Sequence, residues 1–213
     1  MLSSAEIVRS VYGAIRLARL DPIGMEWLDR SPEGCWRSFR VAILLLPLEI
    51  VMTGIVLSQA SELEPFLRVL VVGTIAYVIS WTVFPVLSYP LVRALGKEDR
   101  YPGFIAAINW SRVVVYAVAV PTALLIVEGP PGLAPFLQFA FYIAFVTYHW
   151  FIARTALEIP GPGALGFSVM QLLLLLTVDN VAFAMMTVAA PAIDPAAQTT
   201  RRPLGPQSLD QYT

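Results

Sequence analysis

Charged side chains are scarce in this chain. Asp, Glu, Lys and Arg together make up 14% of the sequence, whereas 57% is hydrophobic and the mean hydropathy is +0.70. A soluble domain carries about 25% charged residues. The formal net charge of -1 and the lack of a basic patch argue against a nucleic-acid partner. The composition therefore predicts an all-α, polytopic membrane protein whose first partner is the lipid bilayer.

The residue types that build metal, redox and many catalytic sites are also few. The one cysteine, Cys35, cannot form an internal disulfide, and the one histidine, His149, has no partner at the spacing of a zinc site. The Gly-x-Ser-x-Gly and His-Glu-x-x-His motifs of hydrolases are missing. We therefore expect no metal, no cofactor and no catalytic residue, and a protein that is not an enzyme.

Long apolar runs, by contrast, dominate the middle of the chain. Each of five runs meets the requirement of about 20 apolar residues for a membrane-spanning helix. Their connections are short and rich in turn-forming residues, which leaves no room for a soluble domain. Pro85 and Pro90 predict a kink or an interfacial break in the second run. The predicted spans are residues 41–60, 66–95, 104–127, 133–157 and 165–190.

The predicted transmembrane domain, residues 41–190, lies between two polar regions. Residues 191–213 form a polar tail rich in proline, which we expect to be extended or disordered. Residues 1–40 form a cytoplasmic interfacial region that begins with an amphipathic helix, capped by Ser3 and Glu6. That helix lies either in the headgroup plane or on the protein's own cytoplasmic face. The residues expected at the membrane surface are Arg9, Arg16, Arg19, Trp36, Arg37 and Arg40.

The positions of the basic residues predict the orientation. They concentrate in the N-terminal region and near the second and fourth connections, whereas the first and third connections are acidic. The positive-inside rule then puts the N-terminus in the cytoplasm and the C-terminus outside. All but one of the basic residues, Lys97, are arginine. That bias is typical of a GC-rich bacterial genome, so we expect the inner membrane of a bacterium.

Arg112 is the residue that the apolar pattern does not explain. An ionisable residue at membrane depth is costly, and it marks a functional site or a structural pair. At 1.5 Å per residue, Glu49, Arg112 and His149 each lie about 12 Å from the cytoplasmic ends of their spans. Asn109 lies one turn from Arg112 on the same helix face. We therefore predict one buried polar cluster that contains Glu49, Asn109, Arg112 and His149.

An ion pair between Glu49 and Arg112 is the favoured arrangement within this cluster. The alternative is a protonated Glu49 bonded to the backbone or to Asn109, with Arg112 reaching toward the headgroups. A second intramembrane polar site lies deeper, at about 21 Å from the cytoplasmic surface. Its residues are Gln171, Asp179 and Asn180.

The sequence favours a structural or interaction protein, as a scaffold or a complex subunit with a protein partner or as a homo-oligomer, which would use the polar cluster to fix helix register. The alternative is a small ion- or proton-coupled transporter or channel subunit, which would use Glu49, His149 and Asp179 as its path.

The architecture also resembles a known family. Five spans that follow a short cytoplasmic region are similar to the YIP family of Ypt/Rab-interacting membrane proteins, along about residues 20–192. The Asp-Leu-Tyr-Gly-Pro motif of the eukaryotic members is absent, and the corresponding region holds Asp21-Pro22 and Glu33-Gly34. The resemblance implies a membrane-organising or scaffold role rather than catalysis.

Overall fold

The part of the chain described by the computed structural model, residues 3–60, 62–130 and 132–187, is all-α. A 3-10 helix, Pro22–Trp27, follows the first α-helix, and a 3-10 turn, Glu98–Arg100, precedes the fifth. The α-helices are α1 (Ser4–Ala18), α2 (Pro32–Ser38), α3 (Val41–Leu57), α4 (Phe66–Ala94), α5 (Tyr101–Glu128), α6 (Leu133–Leu157) and α7 (Gly161–Met186).

Helices α3 to α7 are the five spans. Each is long and apolar enough to cross a membrane, the first of them counted together with α2. The prediction of an all-α polytopic membrane protein is confirmed. Helix α7 begins four residues before the predicted span, and the predicted residues 188–190 and the tail 191–213 lie outside the described residues. Helix α4 continues through Pro85 and Pro90, so the interfacial break does not occur.

The first half of α5 is the centre of the bundle. Every residue from Gly103 to Ser111 is buried, because α1, α2, α3 and α6 all pack around this segment. A helix that is buried on every side has apolar residues all around it, so the sequence of this segment of α5 shows no amphipathic pattern. Helices α1, α2, α3 and α6 are therefore placed by their packing on α5, whereas α7 packs on α6 and α4 packs on α7.

Residues 3–38, comprising α1, the first 3-10 helix and α2, form an N-terminal cap on this end of the bundle. Helix α1 begins as predicted, with the Ser3 hydroxyl accepting a hydrogen bond from the Glu6 amide at 3.1 Å. Its buried residues include Gly13 and Leu17, whereas Val8 on its outer side is exposed. Of the two expected settings for α1, packing on the protein is the one observed, and contact of its outer side with lipid stays a prediction.

Three of the arginines expected at the membrane surface form hydrogen bonds or ion pairs within the cap. They are Arg9, Arg16 and Arg37. The hydrogen bond from Arg16 holds the pKa of the Asp21 carboxyl below its usual range. Arg19, Trp36 and Arg40 remain exposed, so membrane contact stays a prediction for them. The contacts inside the cap join Arg9 Nη2 to Glu26 O (3.0 Å), Arg16 Nη2 to Asp21 Oδ2 (2.5 Å), Arg37 Nε to Glu6 Oε1 (3.0 Å) and Arg37 Nη2 to Asp29 Oδ2 (2.5 Å).

The two ends of the bundle are distinguished by contacts between connections. Arg100 and Glu158 form an ion pair that joins the second and fourth connections at the end covered by the cap, here called the cap face. At the opposite end, the far face, the Glu64 amide donates to Met186 O at 3.0 Å, which ties the first connection to the end of α7. The cap and the end of α7 therefore lie on opposite faces.

Candidate ligand cavity

A cavity of about 560 Å³ lies among all five spans. Its deepest lining residues, such as Ser80 and Gln171, come from the middle of the helices, and others, such as Gln59 and Val127, come from their far-face ends. The lining is mainly apolar. The cavity therefore runs from the middle of the bundle to the far face, whereas the buried half of α5 closes the bundle on the cap face.

Both predicted polar sites contribute to this one cavity. The predicted cluster around Arg112 and the deeper site around Asp179 were expected at different depths, yet side chains from each line the same space. Only Asn109 does not take part. The polar residues that line the cavity and were predicted from the sequence are Glu49, Arg112, His149, Gln171, Asp179 and Asn180.

These residues lie at two levels. Counted along each helix from its far-face end at 1.5 Å per residue, Arg112 and His149 lie about 24 Å deep and Gln171 about 22 Å deep. Glu49 and Asp179 lie only about 12 Å and 10 Å deep on the same scale. The arginine is therefore on the floor of the cavity, and the two carboxylates are nearer its mouth.

Glu49 is bonded to hydroxyl groups rather than to the arginine. The Tyr116 hydroxyl donates to Glu49 Oε2, and the Thr53 hydroxyl lies 3.5 Å from Oε1. The ion pairs in the described ranges do not include one between Glu49 and Arg112. The favoured pairing of these two side chains is therefore not formed in this structure.

The displacement of α3 relative to α5 explains this difference. The predicted depths of Glu49 and Arg112 were equal only if the first and third spans begin at the same level, at residues 41 and 104. Instead, Asn109 Nδ2 donates to Ser38 Oγ at 2.8 Å, so the end of α2 already lies level with the middle of the buried segment. Helix α3 therefore starts about two turns closer to the far face, and Glu49 reaches Tyr116, one turn beyond Arg112.

Neutral groups hold the Arg112 guanidinium. Its Nη2 donates to the Ser80 carbonyl, and its central carbon lies 4.2 Å from the centre of the Trp81 ring, a cation–π contact. Its Nε is buried and has no hydrogen-bond partner in the structure, and the same is true of Trp81 Nε1. The alternative expectation, that Arg112 reaches toward the headgroups, is not observed, because these contacts keep it at the floor.

His149 forms part of the closed floor. Its Nδ1–H donates to Phe145 O at 2.9 Å, and its Nε2 lies 3.3 Å from the Ser111 oxygen. A serine beside a histidine can be a nucleophile and its base. Here Ser111 is fully buried and also lies 2.7 Å from Ile108 O, so no substrate reaches it. This pair is best described as packing between α5 and α6.

Asn109 belongs to a different contact from the one predicted. Its side chain is 1% exposed, and its Ser38 partner in turn donates to Cys35 O at 2.6 Å. It therefore joins α5 to the cap rather than to Glu49, Arg112 or His149.

The Asn109→Leu substitution is expected to destabilise the protein by about 1–3 kcal/mol, because it leaves a buried hydroxyl acceptor without its donor. Thermal denaturation of Asn109→Leu, Ser38→Ala and the double variant measures the coupling. Non-additivity of about 1 kcal/mol is expected for a direct bond. Fully additive effects would contradict the contact.

The three residues of the second polar site differ in the hydrogen bonds that their side chains form. Asn180 Nδ2 donates to Leu176 O of its own helix at 2.7 Å. Gln171 is 7% exposed, and its Oε1 is buried without a hydrogen-bond partner. Among the described residues, Asp179 makes neither a hydrogen bond nor an ion pair. Gln171 and Asp179 therefore have unused hydrogen-bonding capacity at the cavity.

Several residues of the site were not predicted from the sequence. Tyr116 follows Arg112 by four residues and so shares its helix face, a signal that could have identified it. Ser80, Trp81 and Ser111 give no such signal, because serine and tryptophan are common in membrane helices and their contacts come from other helices.

In comparisons with known proteins, no family, no curated protein and no solved structure matches this chain.

Proposed function

We propose that this protein is a small ion- or proton-coupled transporter, or the membrane subunit of one, that works through the cavity. One observation carries this: ionisable and amide side chains from four spans line a single space that extends to the far face. Such residues within a membrane usually face one another or a water-filled path. A scaffold that only needed to fix helix register would gain nothing from an open space around them.

Glu49 is the best candidate for the coupling site. Its carboxylate lines the cavity, contacts the hydroxyls of Tyr116 and Thr53 and forms no ion pair within the described chain. Asp179, nearer the mouth, is the second group on the path. His149 is better suited to a structural role, because partners occupy both of its ring nitrogens.

Proton flux in reconstituted liposomes tests this function. In Glu49→Gln we expect the flux driven by a pH gradient to fall by at least about tenfold, since the titratable group is lost while the shape is kept. Glu33→Gln, on the exposed side of α2, is the matched control and should transport normally. Equal flux through both variants, or no flux through the native protein, would overturn the proposal.

A scaffold or complex-subunit role, as the resemblance to YIP proteins implies, is the second candidate. The observation in its favour is that the cap displays apolar side chains, such as Val8, Tyr12 and Trp36, on its exposed surface. Such residues suit a protein partner, a second copy of the chain or the bilayer surface. Co-purification of one stable partner, retained in Glu49→Gln and lost when the cap is altered, would favour this role.

We further propose that the N-terminal cap is cytoplasmic and that the C-terminus is outside, in the inner membrane of a bacterium. The support is the concentration of arginine in the cap and near the second and fourth connections. With this orientation, the cavity extends toward the outside.

A further inference from the structure

Among the described residues, the Arg112 guanidinium on the floor of the cavity forms no ion pair, although the charges of Glu49 and Asp179 act on it through space. Its contacts are a carbonyl and an aromatic ring, and its Nε is buried without an acceptor. A cation near the middle of a membrane protein is costly, and an opposite charge recovers much of that cost. Direct contact with a carboxylate is therefore what the Arg112 guanidinium lacks within the described part of the chain.

The same floor offers a second unused group. Gln171 is nine-tenths buried, lines the cavity, and has a side-chain oxygen without a partner. The amide oxygen and nitrogen can exchange places by a side-chain flip, so the floor can present either a donor or an acceptor here. Arg112 of α5 and Gln171 of α7 both line the cavity, at nearly the same depth along their helices. Together they suit a planar group with two oxygens.

The space above the floor suits an apolar chain. A volume of about 560 Å³ is that of an ordinary ligand pocket, and the lining is mainly aliphatic and aromatic. The upper walls on opposite sides include Val56 of α3 and Ala76 of α4. A ligand whose charge rests on the floor would therefore place its body among apolar side chains.

A ligand that comes from the lipid would enter at the seam between α3 and α4. Helix α3 packs on α5 and α4 packs on α7, whereas α3 and α4 are not an extensively packed pair in the described ranges. A hydrogen bond from the Tyr77 hydroxyl to Ala42 O joins them near the cap-face end of α3. Most of the side chains that α3 and α4 contribute to the cavity are apolar, with Glu49 and Thr53 of α3 among the exceptions, so this seam suits the entry of a molecule dissolved in the bilayer.

We infer that the cavity binds a single-chain amphipathic carboxylate, with its headgroup on Arg112 and Gln171 and its chain directed toward the far face. This inference rests on the proposed function and names the substrate class of the same site. A ligand that arrives from lipid has its chain in apolar surroundings already, so the chain adds little driving force. The chain then serves to concentrate the ligand in the bilayer beside the cavity, and the headgroup contact with Arg112 decides the selectivity among amphiphiles.

A cationic amphiphile fits the same cavity less well. The Glu49 oxygens already accept from hydroxyl groups, and Asp179 lies nearer the mouth, about 12 Å beyond Gln171 along α7. A cation held by either carboxylate would leave the hydrogen-bond donors of Arg112 unused.

Equilibrium binding to the full-length protein in nanodiscs of zwitterionic lipid tests the inference. The probes are dodecanoate, dodecyltrimethylammonium with the same chain length, and acetate, which has the same headgroup without the chain. Arg112→Gln should weaken dodecanoate binding by at least about tenfold, because a charge-assisted bidentate contact is lost. Arg112→Lys, which keeps the positive charge but not the paired N–H donors of the guanidinium, should weaken dodecanoate binding less. Arg154→Gln is the control, because Arg154 lies over Trp150 and does not line the cavity.

Saturable binding of dodecanoate that depends on Arg112 and exceeds that of both other probes would support the inference. Should Arg112→Gln fail to fold in a thermal melt, the comparison of native protein with Arg112→Lys carries the test. Equal or tighter binding of dodecyltrimethylammonium, binding of acetate as tight as that of dodecanoate, or no effect of Arg112 variants would overturn it. Proton flux that persists without any dodecanoate binding would overturn the ligand class and leave the proposed function standing.

Discussion

Gly24→Ala is expected to lower the free energy of unfolding by about 1–3 kcal/mol, the usual cost of overpacking a tight contact. A Cβ atom at Gly24 would lie 2.6 Å from Gly13 O and 2.9 Å from the Leu17 amide nitrogen, both backbone atoms that cannot rotate away. Backbone strain is not the cause, because the φ angle of Gly24 is outside the left-handed region. The alanine would therefore push α1 away from the 3-10 helix and loosen the cap.

Gly166→Ala is the matched control for this effect. An added Cβ at Gly166, in α7, meets nothing within 4 Å, so this variant should be neutral or stabilised by up to about 1 kcal/mol. Thermal denaturation in the same detergent compares the two, and limited proteolysis of the cap shows where Gly24→Ala loosens the chain. Equal stability of both variants would mean that the close approach of α1 and the 3-10 helix is not a constraint.

Arg112→Leu is expected to leave stability unchanged or to raise it, by up to about 3 kcal/mol, while abolishing ligand binding, because a charge at membrane depth is costly when it forms no ion pair. If Arg112 were instead the partner of Glu49, its removal would leave a buried carboxylate unpaired and cost about 3–5 kcal/mol. The sign of the change in melting temperature therefore separates the two arrangements.

A double-mutant cycle makes the same distinction quantitatively. Arg112→Leu and Glu49→Gln, alone and together, should be additive within about 0.5 kcal/mol, because the two side chains share no direct contact. Tyr116→Phe combined with Glu49→Gln should instead show coupling of about 1 kcal/mol, since Tyr116 donates to Glu49. Strong coupling between Arg112 and Glu49 would restore the pair that the sequence favoured.

Patterns in short stretches of the sequence were sufficient to predict the helices. The five spans follow from the length of the apolar runs, and the start of α1 follows from the hydroxyl of Ser3, which binds an amide three residues away. Both depend on residues close together in the chain. Even α4, with two prolines, stays continuous, because proline removes a backbone donor without preventing neighbouring turns from forming.

The side-chain partners could not be obtained in this way, because they depend on how far one helix is shifted along another. Glu49 and Arg112 matched in depth only while α3 and α5 were assumed to start together. The cap removes that match, since Ser38 bonds to Asn109 within the bundle. One shift of about two turns therefore moves Glu49 from Arg112 to Tyr116. The sequences of α3 and α5 contain no residue from which this shift could be predicted.

Cysteine accessibility from the two sides of the membrane tests the cavity most directly. In a Cys35→Ser background, which removes the one native cysteine, Asn180→Cys places a thiol in the cavity wall and Ser111→Cys places one in the buried segment. Sealed vesicles of either orientation are treated with a membrane-impermeant maleimide. We expect Asn180→Cys to be modified from the far face alone and Ser111→Cys from neither face. Modification of Asn180→Cys only from the cap face, or its complete protection, would contradict a cavity that extends to the far face.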